Sequence, residues 1–160
     1  MNIRVGFGYD VHQLTDGDTL YLGGKAIPSA LKSVAHSDGD VLIHALCDAL
    51  LGAANLGDIG THFPDTDIKY KGIDSKKLLK NVMDLLHNEG FEFGNADCTV
   101  VLEIPKLKPH IADMQTILAE VMNCSISQIS IKATTSEKMG FVGHQQGIAA
   151  YATVLIKSKE

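Results

Sequence analysis

Between Lys32 and Lys69 the chain carries no Lys or Arg, yet it holds six aspartates and three histidines. The acids are Asp38, Asp40, Asp48, Asp58, Asp65 and Asp67, and the imidazoles are His36, His44 and His62. A solvated acidic face is the plain explanation. Such faces usually mix in Lys and Glu, however, and this window has no Glu. Short acids beside imidazoles, unbalanced by cations, suit a site completed by a divalent metal. Asp10-Val11-His12 adds a second clue. In a strand, residues i and i+2 point the same way, roughly 6.5–7 Å apart. Their carboxylate and imidazole can converge on one zinc ion, although a lone Asp-x-His also arises by chance. On a helix, Asp40, His44 and Asp48 would form one stripe at i, i+4 and i+8. His44 could then be a third ligand, with Asp40 or Asp48 holding its other ring nitrogen. A surface histidine between two acids fits the same spacing. Cys47 is set aside as a ligand because it sits on the apolar side, beside Leu46 and Leu50.

Two further runs could handle oxygen-rich ligands. Gly57 to Asp67 combines Asp, Thr and glycine-flanked backbone, which can bind sugar hydroxyls or a phosphate. An ordinary Gly/Asp turn reads the same. Lys132 to Gly140 reads as a strand entering a hydroxyl-rich bend, an arrangement that can cup an anion. Glu137 there could hold a hard cation beside phosphates, while a helix capping box accounts for Thr134 and Glu137 equally well. Neither of the common glycine-rich nucleotide loops is present.

The elements that would position these groups follow from periodicity. Ile3, Val5, Phe7 and Tyr9 alternate with Arg4, Gly6, Gly8 and Asp10, which predicts a strand with Asp10 and His12 on its polar side. Residues 20–22 read as a strand with a glycine turn at Gly23-Gly24, and 29–37 as loop. Residues 41–54 form a helix with Val41, Ala45, Ala49 and Ala53 among its inward positions and Ser37 or Asp38 as cap. Residues 56–74 are a long polar loop, a length that usually marks function. A helix over 75–88 stops at Gly90, and Pro109 opens another. Residues 96–104, 129–134 and 148–156 are strands. The class expected is α+β.

Composition narrows the function. At 160 residues and 17.2 kDa the chain is expected to be one domain spanning 1–160. It buries roughly 70% of its unfolded surface without staples. A net charge of −5 argues against a nucleic-acid partner. No apolar run approaches a membrane span, and the N-terminus has no signal-peptide stretch, so the cytoplasm is the expected compartment. Cys47, Cys98 and Cys124 are odd in number and far apart, which predicts free thiols rather than disulfides.

The combination of G-x-D-V-H at Gly8, A-H-S-D-G-D-V at 35–41, L-G-D-I-G, F-P-D-T-D, P-K-L-K-P-H-I and K-A-T-T-S-E-K-M-G-F runs through essentially the whole chain. In this order it closely resembles the 2-C-methyl-D-erythritol 2,4-cyclodiphosphate synthase family of non-mevalonate isoprenoid biosynthesis. That resemblance implies a homotrimer of protomers, each a four-stranded sheet with helices on one face, and active sites between subunits. It implies that Asp10, His12 and His44 hold zinc, with Val11 between them in contact with substrate. His36 and Ser37 would hold the erythritol phosphate end, His36 stabilising the transition state. Asp58, Ile59 and Gly60 match a stretch on the sugar hydroxyls. Phe63, Pro64, Asp65, Thr66 and Asp67 match a neighbouring substrate loop. Leu102, Glu103, Ile104, Pro105, Lys106, Leu107 and Lys108 match the segment that recognises cytidine. Thr134, Thr135, Ser136 and Glu137 match the diphosphate bend, where Thr135 assists the transition state and Glu137 ligates magnesium or manganese. Phe141 and His144 complete the implied contacts.

Family members often carry arginine where this chain has His144, and Gly-Glu where it has Gln145-Gln146. The position faces the trimer's central cavity, and histidine is a weaker, pH-dependent anion ligand. The reaction implied starts from a cytidine diphosphate ester of methylerythritol 2-phosphate. Its 2-phosphate attacks the β-phosphorus and expels CMP. The nucleophile is already an anion, so positioning and charge neutralisation carry the catalysis. A zinc phosphohydrolase and a trimer that binds a nucleotide or isoprenoid diphosphate without turnover are the competing readings.

Overall fold

The computed structural model describes residues 2–159. In chain order the strands and helices are β1 (Ile3–Asp16), β2 (Thr19–Leu22), β3 (Lys25–Pro28), β4 (Leu31–Val34), α1 (Val41–Ala54), α2 (Ile59–His62), α3 (Ser75–Asn88), β5 (Phe91–Val101), α4 (Ile111–Met122), β6 (Ile129–Thr134), α5 (Gly140–Gly143) and β7 (Gly147–Ser158). The main sheet has the order β4-β1-β7-β5-β6, and β2 and β3 form a separate hairpin. Among the described strands only β5 and β6 pair in parallel.

The sheet therefore has five strands where four were expected. The extra one is β4, inside the stretch read as loop. Leu-Lys-Ser-Val is too short and too mixed to announce a strand. It forms because β1 runs on to Asp16 and offers Gln13–Asp16 as a partner edge. The 56–74 segment is likewise not wholly irregular. Asp58 caps the single turn of α2, and Asp67 caps a 3₁₀ turn at Ile68–Tyr70.

β1 lies against α1 through its glycine side. A Cβ on Gly6 would stand 1.9 Å from the Ala49 carbonyl oxygen, and one on Gly8 would stand 1.9 Å from that of Ala45. Glycine on the strand and alanine on the helix let the two backbones touch. The apolar side of β1 faces the other way: Val5 is 67% exposed and Phe7 64%, with Ile3, Tyr9 and Val11 beside them. The sheet thus has one face under helices and one apolar face open.

α1 is capped by Asp40, not by Ser37 or Asp38. The fully buried Asp40 carboxylate accepts from the N–H groups of Ile43, Gly23 and Gly24. It thereby caps α1 and ties the β2–β3 hairpin to it.

Candidate functional site

Asp10 and His12 project from the helix side of β1, and His44 reaches them from the first turn of α1. His44 Nδ1 lies 3.0 Å from Asp10 Oδ2 and 3.0 Å from His12 Nε2, and His12 Nε2 lies 3.2 Å from Asp10 Oδ2. These three residues form a group able to hold a metal ion. Four ligands at zinc–ligand distances of 2.0–2.1 Å stand about 3.3 Å apart in a tetrahedron. The observed triangle is close to one face of it, and the donor set of one carboxylate and two imidazoles suits that ion.

The electrostatics of the triangle are coupled. Burial works against the ionised Asp10 carboxylate, but hydrogen bonds and charge from His12 and His44 outweigh it and hold Asp10 well below the usual carboxylate range. Burial also opposes an imidazolium at His44, yet the Asp10 carboxylate raises its pKa overall.

The Asp40–His44–Asp48 stripe exists, but its members do different things. Neither acid holds the second ring nitrogen of His44. Asp40 caps the helix, and Asp48 accepts from the Ile59 N–H at 2.8 Å, anchoring α2. The second nitrogen, Nε2, faces Ser75 Oγ at 3.0 Å and Ser37 Oγ at 3.2 Å. Ser75 opens α3, and nothing in local sequence spacing connects it to His44.

A cavity of about 420 Å³ opens onto the triangle. Its walls include His36, Ser37, Ile59, Gly60, Phe63, Pro64, Asp65 and Thr66 from the expected set. Tyr70, Ile73 and Leu78 join them, and sequence reasoning missed those three. The Gly72 N–H donates to the His36 carbonyl at 2.7 Å, pinning the two loops together. Three expected residues are elsewhere. Val11 points to the open sheet face. Asp58 and Asp67 spend their carboxylates on local caps. His62 bonds the Leu56 carbonyl, a packing role.

A second cavity of about 420 Å³ lies at the other end of the sheet. Leu102, Pro105, Lys106, Leu107 and Lys108 line it with Ile131, Lys132, Ala133, Thr134 and Thr135. The Leu102 N–H donates to the Thr134 carbonyl. Glu103 Oε1 accepts from the Ser136 N–H at 2.9 Å, so this acid supports the bend from beneath. No helix begins at Thr134, since α5 starts at Gly140, and the capping-box alternative fails. Ile104 and Glu137 are exposed, and Glu137 adopts a left-handed φ of 54°. Phe141 lines a smaller cavity on the open sheet face with Tyr9 and Tyr151. His144 is exposed and bonds the Gly140 carbonyl. Register sets Asp10 level with Ala133 through Ala150 and Val100. Three strand spacings separate them, about 14 Å.

The sequence pattern of the YgbB family matches residues 3–157. The chain belongs to the YgbB family. A 2-C-methyl-D-erythritol 2,4-cyclodiphosphate synthase from Parabacteroides distasonis is 62% identical over 157 residues, 98% of either chain. Among solved structures, the bifunctional IspDF of Campylobacter jejuni superimposes with a TM-score of 0.96 at 43% identity. That match covers 99% of this chain and 43% of the longer one. A Plasmodium falciparum IspF in complex with CDP gives 0.87 at 34% identity, covering 99% of this chain and 97% of its own. The cavities and the donor triangle thus belong to a YgbB-family chain, and no described helix is long and apolar enough to cross a membrane.

Proposed function

We propose that the chain is a lyase of isoprenoid biosynthesis that forms 2-C-methyl-D-erythritol 2,4-cyclodiphosphate. An oxygen of the substrate's 2-phosphate bonds to the β-phosphorus of its cytidine diphosphate arm. The bond from that phosphorus to the bridging oxygen breaks, and CMP leaves with the electron pair. The observation that carries this reading is the Asp10–His12–His44 triangle opening onto a cavity walled by hydroxyl-bearing and amide-rich loops, in a YgbB-family chain.

The cavity beside the triangle has no Lys or Arg in its walls, so its own residues do not neutralise two phosphates. Zinc held by Asp10, His12 and His44, with magnesium or manganese at Glu137, would supply that neutralisation when bound. His36 and Ser37 hold the 2-phosphate, and His36 donates to its charge as the new bond forms. Ile59 and Gly60, with Phe63 to Thr66, bind the erythritol hydroxyls and exclude water. Leu102 and Leu107 form the apolar floor of the cytidine pocket, and Thr134 to Glu137 cup the diphosphate, Thr135 donating to the leaving phosphate.

The working unit is a homotrimer in the cytoplasm, each chain serving as one domain. Two observations support it. The donor triangle and the nucleotide cavity stand about 14 Å apart across the sheet of one chain, and a neighbour's cavity completes each site. The open apolar face of β1 and β7 supplies surface for association.

The test is CMP release from the cytidylylated substrate, followed by chromatography with and without chelator. Chelator-sensitive release supports the reading. Intact substrate in the presence of bound zinc contradicts it. Glu137→Gln should shift the magnesium or manganese requirement to higher concentration, by about tenfold or more for loss of one anionic ligand. A metal titration identical to the parent's would contradict the role of Glu137.

Zinc uptake should also depend on pH. In the metal-free chain the raised pKa of His44 means that the Asp10–His44 ion pair stabilises the fold fully below the ordinary value of 6.5. That contribution fades as pH rises through the raised value. Zinc needs the neutral imidazole and competes with the same proton. Apparent zinc affinity should therefore climb by up to about tenfold per pH unit until His44 is neutral, then level off. Dye competition at pH 6 and pH 8 reads this directly, with the weaker binding expected at pH 6.

A further inference from the structure

Behind His44, Ser75 and Asp38 form a chain of hydrogen bonds that the reaction itself does not use. Ser75 is fully buried at the start of α3. It grips Asp38 with both of its donors, the backbone N–H to Oδ2 at 2.9 Å and the hydroxyl to Oδ1 at 2.5 Å. Its only hydroxyl proton is thereby committed to the carboxylate. Its oxygen can then face His44 Nε2, 3.0 Å away, only as an acceptor. Ser37 Oγ flanks the same nitrogen and accepts from the Gly39 N–H. Asp38 is held in turn by its own N–H, which donates to the Ile73 carbonyl at 3.1 Å.

We propose that Asp38 and Ser75 are a positioning relay that fixes His44 as the Nε2–H tautomer and presents the Nδ1 lone pair to Asp10 and His12. The inference rests on the metal reading given above and deepens it. A neutral imidazole has one lone pair, and the ring must be turned so that it points into the triangle. Asp38 lies on the loop after β4, and Ser75 directly follows the 56–74 segment whose residues wall the cavity. The relay therefore also joins the cavity wall to the ligand, from residues 31 and 6 positions away from His44 in sequence.

The test is zinc affinity of the full chain, stripped of metal and titrated with zinc against a chelating dye. Ser75→Ala should raise the dissociation constant about 10–100-fold, the usual cost of losing a partner behind a metal-bound histidine. Asp38→Ala should do the same, and the double variant should be no weaker than the worse single one, because either change breaks the same relay. Asp38→Asn keeps the shape of the side chain and should give a smaller loss. Thermal melting of the metal-free variants separates the relay from general destabilisation: affinity losses that exceed any change in folded fraction support it. Unchanged affinity in Ser75→Ala, or losses that add in the double variant, overturn the relay alone. A parent chain that takes up no zinc overturns the metal reading and the relay together.

Discussion

His12→Ala should leave a folded protein with almost no bound zinc and turnover reduced on the order of 10³-fold. The imidazole supplies one corner of the triangle, 3.0 Å from His44 Nδ1 and 3.2 Å from Asp10 Oδ2. Asp10 and His44 remain, and two protein donors do not make a closed zinc site, which needs three or four. The fold should survive because β1 keeps its full ladder with β7 and its contact with α1, neither of which uses the His12 side chain. Metal analysis of the purified variant checks the first claim and thermal melting the second. Unchanged zinc content would show that the triangle is not the metal site.

Gly8→Ala should be severely destabilising for a change of one methyl group. The new Cβ would stand 1.9 Å from the Ala45 carbonyl oxygen and 2.8 Å from the Ala49 nitrogen, both of them helix backbone that cannot step aside. α1 must lift from β1, with a cost of about 3 kcal/mol or more. For a domain of this size that lowers the melting temperature by about 10 °C. The damage also reaches the site, since Asp10 and His44 ride on the two elements being pushed apart. Gly52→Ala is the internal control. Gly52 lies in the same helix with nothing within 4 Å of its would-be Cβ, so it should gain roughly 0.5–1 kcal/mol from helix propensity. Equal melting temperatures for the two variants would contradict the close-packing account.

The contrast between those glycines shows what sequence could and could not convey. Period-two alternation located β1 and put Asp10 and His12 on one side, because strand geometry is local. The pattern does not reveal that the apolar side of β1 is the open one. Ile3, Val5 and Phe7 look like core residues, since a hydrophobic face destined for a partner and one destined for a helix have the same composition. Gly6 and Gly8 marked the true helix side, but only the position of α1 makes that legible. The helical stripe of Asp40, His44 and Asp48 was likewise readable, while the division of labour within it was not. Asp40 turns to the β2–β3 hairpin and Asp48 to α2, contacts made across long loops. Ser75 and Asp38 are further from reach: 37 residues separate them, and only the packing of α3 beside the 36–40 loop joins them. β4 was hidden for a different reason, its four residues being mixed in polarity and dependent on a strand edge that forms elsewhere.

The central claim is that this chain joins two phosphates of one molecule and does not hydrolyse them. Phosphorus NMR of the purified protein with cytidylylated methylerythritol 2-phosphate, with and without magnesium or manganese, tests it most directly. CMP should appear together with a cyclic diphosphate, and only when the divalent ion is present. CMP with two uncoupled phosphate monoesters would mean that water is the nucleophile, and an unchanged substrate spectrum from zinc-loaded protein would mean that the site binds without turnover. Either result contradicts the claim.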